Sequence, residues 1–360
     1  MKSSLAAYWR ELANGTRTDI VDQMLPLLLA PLGWVYSLIQ QLRATLYRIG
    51  ILKTHRLPRP VISIGNITVG GTGKTPMTAY IARLLLGQGY KVAVLSRGYG
   101  GSLEGQTVVC SDGTTVMLGP LECGDEPYLL ASTIPGLMVV IGTDRYAAGQ
   151  LAMQQLSPNV FLLDDGFQHL QLWRDLNILL LDYSRPFGNG WTLPAGLLRE
   201  PAAATRRADL IIQTRCPDDA AVTAFISGKP AFAASHRLVD ALPLLGGKQV
   251  PLAELRDRKF LAFAGIAQPE SFFSGLRDSG INVVRTLPFP DHAGYDHESL
   301  AEIRAALQSS GAEYAITTEK DGVKLKLLPA DIAAVTYLAR LDIEIEKPAN
   351  LLALIRNLLP

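Results

Sequence analysis

The chain has 360 residues, of which 48% are hydrophobic and 19% are charged, a composition typical of a globular protein long enough for two domains. A formal net charge of +1 gives no overall attraction to nucleic acid, and we expect no nucleic-acid partner. The cysteines Cys110, Cys123 and Cys216 are odd in number and widely spaced, which argues against a disulfide framework or a zinc ribbon and is typical of the reducing cytoplasm.

Charge is distributed unevenly along the N-terminal part of the chain. From Gln23 to Leu103 there is no Asp or Glu, whereas nine Lys and Arg fall in that stretch. An acid-free basic region is a suitable surface for phosphates, whether of ATP, of a substrate or of anionic lipid. Acidic residues precede the first apolar run and no small-residue cleavage site closely follows it, so we expect no cleaved signal peptide.

Residues 23–42 form the first predicted element, an uncharged and mostly apolar helix with a basic flank on its C-terminal side. The run holds about 16 apolar residues where a full span needs about 20, and Pro26 and Pro31 are expected to interrupt it. Three interpretations are open: an interfacial or re-entrant membrane-docking helix, a true span, and a buried core helix. Trp34 and the basic flank favour the docking helix. We assign residues 1–56 to this membrane-associating segment.

Short apolar runs then alternate with longer helical stretches. They predict strands at 61–65, 91–96, 137–142, 159–165, 176–182 and 209–214, and a second series at 259–266, 281–289, 313–319 and 334–339. Buried strands spaced by helix-length intervals indicate a parallel sheet with helices on both faces. Strand signals weaken and Gly and Pro recur at 217–257, where we place the boundary between a larger domain at 57–225 and a smaller α/β domain at 226–360.

The first of these strands runs into a glycine-rich loop and then into a helix predicted to begin near Pro76. A phosphate cradle requires this order of strand, loop and helix. In such a loop the backbone N–H groups surround the phosphates, Lys74 reaches the β- and γ-phosphates, and the Thr75 hydroxyl ligates Mg2+. Thr68 stands where the strict motif has glycine, and a glycine-rich turn without nucleotide is the alternative. The predicted nucleotide-binding residues are Gly70, Gly71, Thr72, Gly73, Lys74, Thr75 and Pro76.

The predicted strand at 159–165 ends in two carboxylates, Asp164 and Asp165. In a parallel sheet such a strand end lies near the phosphate loop, where one carboxylate helps Thr75 to hold Mg2+. Adjacent side chains point in different directions, so we expect one carboxylate to serve the metal and the other a different partner. A plain strand end is the alternative. Together these features predict an α/β fold class: a P-loop NTPase core with a parallel sheet, a smaller second α/β domain and an N-terminal membrane-docking helix.

Three further motifs follow predicted strands, where ligand-binding loops gather in an open α/β sheet. They are SRGYGG from Ser96, CGDEP from Cys123 and GTDRYAAG from Gly142. Their arginines, Arg97 and Arg145, are candidates to bind phosphates, and solvent-exposed surface arginines are the alternative. The acidic pair that follows Gly124 fits either a catalytic base or a turn, and spacing does not decide between them.

Nine motifs together resemble one enzyme family. They are GNITVGGTGKTP (65–76), LSRGYGG (95–101), GDEP (124–127), DR (144–145), DDGFQH (164–169), LPAGLLREP (193–201), AGIAQP (264–269), FPDHAGY (289–295) and TEKD (318–321). In this order and over residues 57–325, the sequence is similar to the tetraacyldisaccharide 4'-kinases, the lipid A 4'-kinases of Gram-negative envelope synthesis. The loop of that family also has threonine at the position of Thr68.

The resemblance implies a reaction, a cofactor and a location. The γ-phosphate of ATP, with Mg2+, is transferred to the 4'-hydroxyl of a tetraacyldisaccharide 1-phosphate, an acylated glucosamine disaccharide, to form lipid IVA in lipid A biosynthesis. The implied location is the cytoplasmic face of the bacterial inner membrane, to which the enzyme is bound as a peripheral or monotopic protein. We expect no obligate protein partner.

The resemblance also implies roles for particular side chains. Asp125 is the implied base that accepts the hydroxyl proton, and His292 is its partner. Lys74, predicted above from the phosphate loop, is the third catalytic residue. The implied substrate-binding residues are Arg97, Tyr99, Arg145, His169 and Glu200.

Physical reasoning supports pairing His292 with Asp125. A histidine hydrogen-bonded to an aspartate base fixes the orientation of the carboxylate and tunes its pKa. Because His292 falls in the predicted C-terminal domain, we expect the pair to form only when that domain closes over the active site. A helix N-terminus capped by Asp291 is the alternative explanation of this motif. Structural roles are also open for His169 and His297.

The main alternative function is a membrane-associated P-loop ATPase switch. Such proteins commonly carry a second lysine immediately before the GGTGKT segment, where this chain has Val69. A nucleotide-regulated binding module without chemistry is a third possibility. It leaves the motifs that contain Asp125, Asp164 and His292 without a function.

Overall fold

The computed structural model of the protein describes residues 5–13, 17, 19–217, 228–325 and 328–359. The chain divides into two compact units, each assembled from separate stretches of sequence. Unit 1 contains residues 1–95, 144–235 and 345–360, and unit 2 contains residues 96–143 and 236–344. The predicted division into 1–56, 57–225 and 226–360 stays a prediction, since residues 225 and 226 lie outside the described ones.

The strands in chain order are β1 (Val61–Gly65), β2 (Val92–Ser96), β3 (Val108–Asp112), β4 (Met138–Ile141), β5 (Val160–Asp164), β6 (Leu176–Asp182), β7 (Leu210–Thr214), β8 (Ala231–Pro243), β9 (Val250–Pro251), β10 (Lys259–Ala264), β11 (Asn282–Pro288), β12 (Tyr314–Thr318) and β13 (Thr336–Ile345). The α-helices are α1 (Leu5–Ala13), α2 (Ile20–Arg48), α3 (Lys74–Leu86), α4 (Pro120–Cys123), α5 (Asp125–Thr133), α6 (Arg145–Gln155), α7 (Pro269–Asp278), α8 (His297–Ser310), α9 (Glu319–Gly322), α10 (Ala330–Ala333) and α11 (Pro348–Arg356). Short 3-10 helices cover Ala202–Arg207 and Leu252–Leu255.

The sheet of unit 1 is parallel, as predicted, with the strand order β7, β6, β1, β5, β2. Residues 231–234 of β8, which belong to this unit, pair in parallel with β7. Every residue of β1 and β5 is buried, which fits central strands covered by helices on both faces. The register of these two strands places Ile64 beside Asp164. Because parallel strands end at the same edge of a sheet, the loop after β1 and the carboxylates after β5 come together there.

Strand signals are weak at 217–257, but the structure has a long strand there, β8, which covers Ala231–Pro243. This segment is rich in alanine and mixes polar with apolar residues, so its own sequence favours a strand only weakly. Its first residues pair in parallel with β7, and Asp240 and Ala241 pair with β9 in the antiparallel direction. Strand pairing therefore stabilises an element that local propensity does not indicate.

In unit 2 the strands β11, β10, β12 and β13 run parallel in that order, and β3 pairs with β4 in the antiparallel direction. Side chains of β10 alternate between the two faces of the sheet. Leu261 and Phe263 pack in one hydrophobic cluster with α8, and Phe260 and Ala262 pack in another with α7. One helix therefore covers each face, which leaves the loops at the strand ends for function.

Helix α2 spans Ile20–Arg48 without a break, so the predicted interruption at Pro26 and Pro31 is wrong. Its apolar side chains face outwards, with Leu28 71% and Trp34 64% exposed, which contradicts a buried core helix. Residues 24–48 are long and apolar enough to cross a membrane by length and composition. Gly33 packs against the loop around Thr192, and the Thr192 hydroxyl donates to the carbonyl oxygen of Gly33 at 2.7 Å.

Candidate functional site

The glycine-rich loop joins β1 to α3 in the predicted order. The helix begins at Lys74, two residues before the predicted start, because Pro76 fits the first turn, where backbone N–H groups have no partner within the helix. Gly73 precedes the helix with φ 80°, a left-handed conformation that favours glycine. The Asn66 side-chain amide donates to the Thr72 hydroxyl at 2.8 Å. The loop is thus held by its own side chains with the helix N-terminus beside it, an arrangement suited to anions.

Asp164, at the end of β5, accepts hydrogen bonds from two hydroxyls of α3. The hydroxyl of Thr75 lies 3.3 Å from its Oδ2, and the hydroxyl of Thr78 lies 2.9 Å from its Oδ1. Thr75 and Thr78 lie one helical turn apart on the same face of the helix. The structure therefore brings the predicted pair Thr75 and Asp164 together, with Asp164 buried and Thr75 half-buried.

Asp165 has different partners from Asp164. Its backbone has a left-handed φ of 53°. Its Oδ1 lies 3.8 Å from Nζ of Lys74, and its Oδ2 accepts from the Arg199 guanidinium at 2.8 Å. Burial alone would raise the pKa of Asp165, but the charges of Lys74 and Arg199 outweigh burial and lower it. Asp165 is thus an ionised partner of the phosphate-loop lysine.

The predicted substrate-binding residues of unit 1 lie in partly or fully buried positions. Arg145 is the first residue of α6 and is buried. Burial and the charges of Arg145 and Arg174 lower the pKa of His169 to about 4, so its imidazole is neutral at neutral pH. Glu200 is 3% exposed and pairs with Arg207, whose guanidinium nitrogen lies 2.7 Å from Oε2. Glu200 is therefore already engaged with a protein cation.

In unit 2 the GYGG and GDEP segments touch each other. Gly124 has φ 90°, and a Cβ there would lie 2.6 Å from the carbonyl oxygen of Tyr99, so the close approach requires glycine. Asp125 begins α5 directly after this glycine. Tyr99 is 59% exposed, and its ring lies 5.7 Å from that of His292. Arg97 is exposed and pairs with Glu104 at 3.2 Å.

Asp125 and His292 form the predicted pair. Nδ1 of His292 lies 3.2 Å from Oδ2 of Asp125. His292 has a left-handed φ of 61°, and its backbone N–H donates to the carbonyl of Gly265 at 3.1 Å. Both members of the pair belong to unit 2, so their contact needs no closure of one unit on another. Helix α8 is capped by Asp296, and the alternative of a helix capped by Asp291 is wrong.

A lysine that sequence reasoning missed completes the surroundings of Asp125. Nζ of Lys324 lies 3.2 Å from Oδ2 of Asp125. Burial by itself would raise the pKa of Asp125, but the hydrogen bond from His292 and the charge of Lys324 hold it below its usual range. The carboxylate is therefore ionised at neutral pH and able to accept a proton.

Other contributors were missed because their partners are distant in sequence. Arg199 was recognised only as part of a family motif, yet it binds Asp165. Arg215 donates to the carbonyl of Gly71 in the phosphate loop and pairs with Asp182 at 2.7 Å. Thr78 was findable from sequence, because it lies one helical turn after Thr75.

Comparisons with known proteins show the family to which the chain belongs. Residues 25–360 match the family described as Tetraacyldisaccharide-1-P 4'-kinase. The chain is 61% identical over 359 residues to the tetraacyldisaccharide 4'-kinase of Pelobacter propionicus, which covers 100% of this chain and 99% of that relative. It is 53% identical over 332 residues to the enzyme of the same name from Geobacter sulfurreducens, covering 91% of this chain and 93% of that relative.

A solved structure is similar as well. It is the crystal structure of an "apo" form of LpxK from Aquifex aeolicus in complex with ATP, with 36% sequence identity and a TM-score of 0.79. The similarity covers 93% of this chain and 100% of that chain. By sequence over nearly its whole length, and by fold, this chain belongs to the tetraacyldisaccharide-1-P 4'-kinase family.

Proposed function

We propose that this protein transfers the γ-phosphate of ATP to the 4'-hydroxyl of a tetraacyldisaccharide 1-phosphate, forming lipid IVA. One observation carries the proposal beyond family membership. The chain holds both a phosphate loop ordered against Asp164 and Asp165 and an ionised aspartate, Asp125, bound by a histidine. Neither an ATPase switch nor a binding module requires a base such as Asp125 that accepts the proton of an acceptor hydroxyl.

The residues of unit 1 bind and polarise the phosphates. Backbone N–H groups of Gly70 to Gly73 and the N-terminus of α3 surround the β- and γ-phosphates of ATP. Lys74, the next residue along the chain, stabilises the negative charge that spreads over the oxygens of the transferring phosphoryl group. Asp165 Oδ1 lies 3.8 Å from the Lys74 ammonium group and fixes its position within the site.

The donors at the end of β5 fit Mg2+, a hard cation that prefers oxygen ligands. Thr75 and Asp164 present a hydroxyl and a carboxylate within 3.3 Å of each other, and these are the residues we assign to the metal. Asp165, with Lys74 and Arg199 as partners, supports the site from a second position. The described residues contain no cluster of three or more His, Cys, Asp or Glu suited to a metal. When bound, the ion neutralises charge on the phosphate oxygens.

The residues of unit 2 act on the acceptor. The oxygen of the 4'-hydroxyl forms the new bond to the γ-phosphorus while the bond between the γ-phosphorus and the β-phosphate oxygen breaks, and ADP leaves. Asp125 takes the proton of the hydroxyl. Because phosphoryl transfer is loose, the proton leaves late and a base of lowered pKa is sufficient. His292 orients the carboxylate, and Tyr99 beside it is a candidate contact for the sugar.

A lipid acceptor calls for contact with a membrane. The outward apolar side chains of α2 and the basic residues that follow it favour docking of this helix into the cytoplasmic leaflet. We assign binding of the acceptor to Arg97, Tyr99, Arg145, His169 and Glu200, as the family motifs imply.

The test is transfer of radiolabelled γ-phosphate from ATP to a purified tetraacyldisaccharide 1-phosphate in detergent micelles. The expected product is a lipid bisphosphate. Release of inorganic phosphate without labelled lipid would instead support the ATPase switch, and ATP binding without turnover would support the binding module.

A further inference from the structure

Lys324 has no part in the reaction as described so far, although its ammonium group lies between two carboxylates. Its Nζ lies 3.2 Å from Oδ2 of Asp125 and 3.7 Å from Oδ1 of Asp321. The Lys324 side chain is 6% exposed and that of Asp321 is 0% exposed. A charged group loses most of its hydration at such burial and is tolerated only opposite a compensating charge. The position of Lys324 is therefore set by its two partners.

Asp321 is a fixed anchor for this lysine. Its Oδ2 accepts from the backbone N–H of Gly265 at 3.1 Å and from the hydroxyl of Thr318 at 2.7 Å. The Thr318 hydroxyl in turn accepts from the backbone N–H of Asp321 at 3.0 Å. The carbonyl of the same Gly265 holds the backbone N–H of His292. One small scaffold at the ends of β10 and β12 therefore fixes both side chains that touch Asp125.

Both side chains contact the same oxygen of Asp125. Nδ1 of His292 and Nζ of Lys324 each lie 3.2 Å from Oδ2. A hydrogen bond and an ion pair on one oxygen restrict rotation of the carboxylate and leave Oδ1 as the atom that accepts a proton. We propose that Lys324 is a positioning residue for the base: with His292 it holds Oδ2 of Asp125, so that Oδ1 faces the acceptor hydroxyl. The inference rests on the proposed kinase function.

The lysine also has an electrostatic effect with a measurable signature. The ionisable groups facing Asp125 are His292 on the loop after β11, Lys320 in α9, Lys324 just after α9, and Cys123 at the end of α4. Removing Lys324 withdraws the positive charge beside Oδ2, so the pKa of Asp125 rises. The reaction rate falls on the acid side of the pH profile as the base becomes protonated. Its acid limb should therefore move to higher pH.

The experiment compares Lys324→Met with the wild-type enzyme in the labelled-phosphate assay from pH 5 to 9. We expect kcat to fall about 10- to 100-fold, the KM for ATP to stay within about twofold, and the acid limb to move up by about one pH unit. Lys324→Arg keeps the charge and should keep the acid limb of the wild type. Lys259→Met is the matched control: it removes an exposed lysine at the opposite end of β10, and it should leave the acid limb in place.

Double variants and a second substitution at Lys324 test whether this lysine acts through Asp125. In the Asp125→Asn background, Lys324→Met should cost less than about twofold further, because a residue that acts through the base has nothing left to position. If Lys324→Met does not fold, Lys324→Gln, which keeps a hydrogen-bond donor, must move the acid limb in the same direction. An active wild-type enzyme together with a Lys324 variant of unchanged kcat and acid limb overturns this inference alone. A wild-type enzyme that labels no lipid overturns the proposed function as well.

Discussion

At the scale of single residues, the site uses backbone conformations that side chains rarely adopt. Asp165 and His292 have φ values of 53° and 61°, in the left-handed region that non-glycine residues seldom occupy. Each follows a strand end and turns its side chain towards a charged partner, Lys74 or Asp125. Strain of this kind persists only where surrounding contacts enforce it, and it is found most often at functional positions.

Lys74→Ala should abolish most of the phosphoryl transfer. The variant loses a charge that stabilises the transferring phosphoryl group, and we expect kcat to fall by a factor of about 100 or more. Lys91→Ala, at an exposed position, is the control and should retain activity. Steady-state kinetics with saturating ATP measure the effect. Near-normal turnover of Lys74→Ala would show that the phosphate loop is misassigned.

Asp125 and His292 should behave as one unit in a double-mutant cycle, because their side chains are hydrogen-bonded. We expect Asp125→Ala to lower kcat about 100-fold or more while ATP affinity persists, and His292→Ala to lower it about tenfold. The double variant should be hardly worse than Asp125→Ala. Fully multiplicative losses would mean that His292 works on a different group.

At the scale of elements, α2 shows how a helix can keep its form and still expose its apolar side. Pro26 and Pro31 lie within it, but the helix continues to Arg48. Gly33 lets the helix approach the Thr192 loop closely, since a Cβ there would lie 3.2 Å from the Thr192 carbonyl oxygen. The outward side chains then have no protein core to cover them, and a membrane is the partner we propose.

Leu28→Gln with Leu38→Gln should weaken membrane docking without unfolding the protein, because both side chains are exposed, 71% and 66% respectively. Each substitution removes apolar area that would be buried among lipids, about 25 cal/mol per Å2. We expect less protein to sediment with anionic vesicles, and activity on long-chain lipid in vesicles to fall more than activity in detergent. Leu245→Gln, at a leucine 68% exposed in unit 2, is the control and should sediment like the wild type. Equal sedimentation of all three proteins would contradict docking through α2.

At the scale of the whole molecule, each compact unit is assembled from stretches that are distant along the chain. Residues 96–143 belong to the same unit as residues 236–344, and the C-terminal residues 345–360 belong to the unit of the phosphate loop. This grouping places Asp125 and His292 in one unit. Each group of site residues is thereby held by the elements of a single unit.

Mild acid should weaken the folded state through His169. Its folded pKa, about 4, lies below its ordinary value of 6.5, so the unfolded chain binds the proton more readily. The contribution of neutral His169 to the free energy of unfolding is fully present above pH 6.5. It is lost as the pH falls towards 4, at about 1.4 kcal/mol per pH unit. The free energy of unfolding measured in urea should fall over this range more steeply for the wild type than for His169→Gln. Parallel curves for the two proteins would refute the prediction.

The sequence by itself determined the parallel sheet, the phosphate loop and the pair Asp164 and Asp165, because these are encoded locally: apolar runs of strand length, glycines before a helix, and carboxylates at a strand end. The family motifs added Asp125 and His292. Only the tertiary structure decided which carboxylate meets Thr75 and what surrounds the base. Asp125 and His292 are 167 residues apart, and no periodicity or propensity specifies a contact over such a distance. Lys324 and Arg199 acquire their partners only when separate strand ends are packed side by side in folded cores.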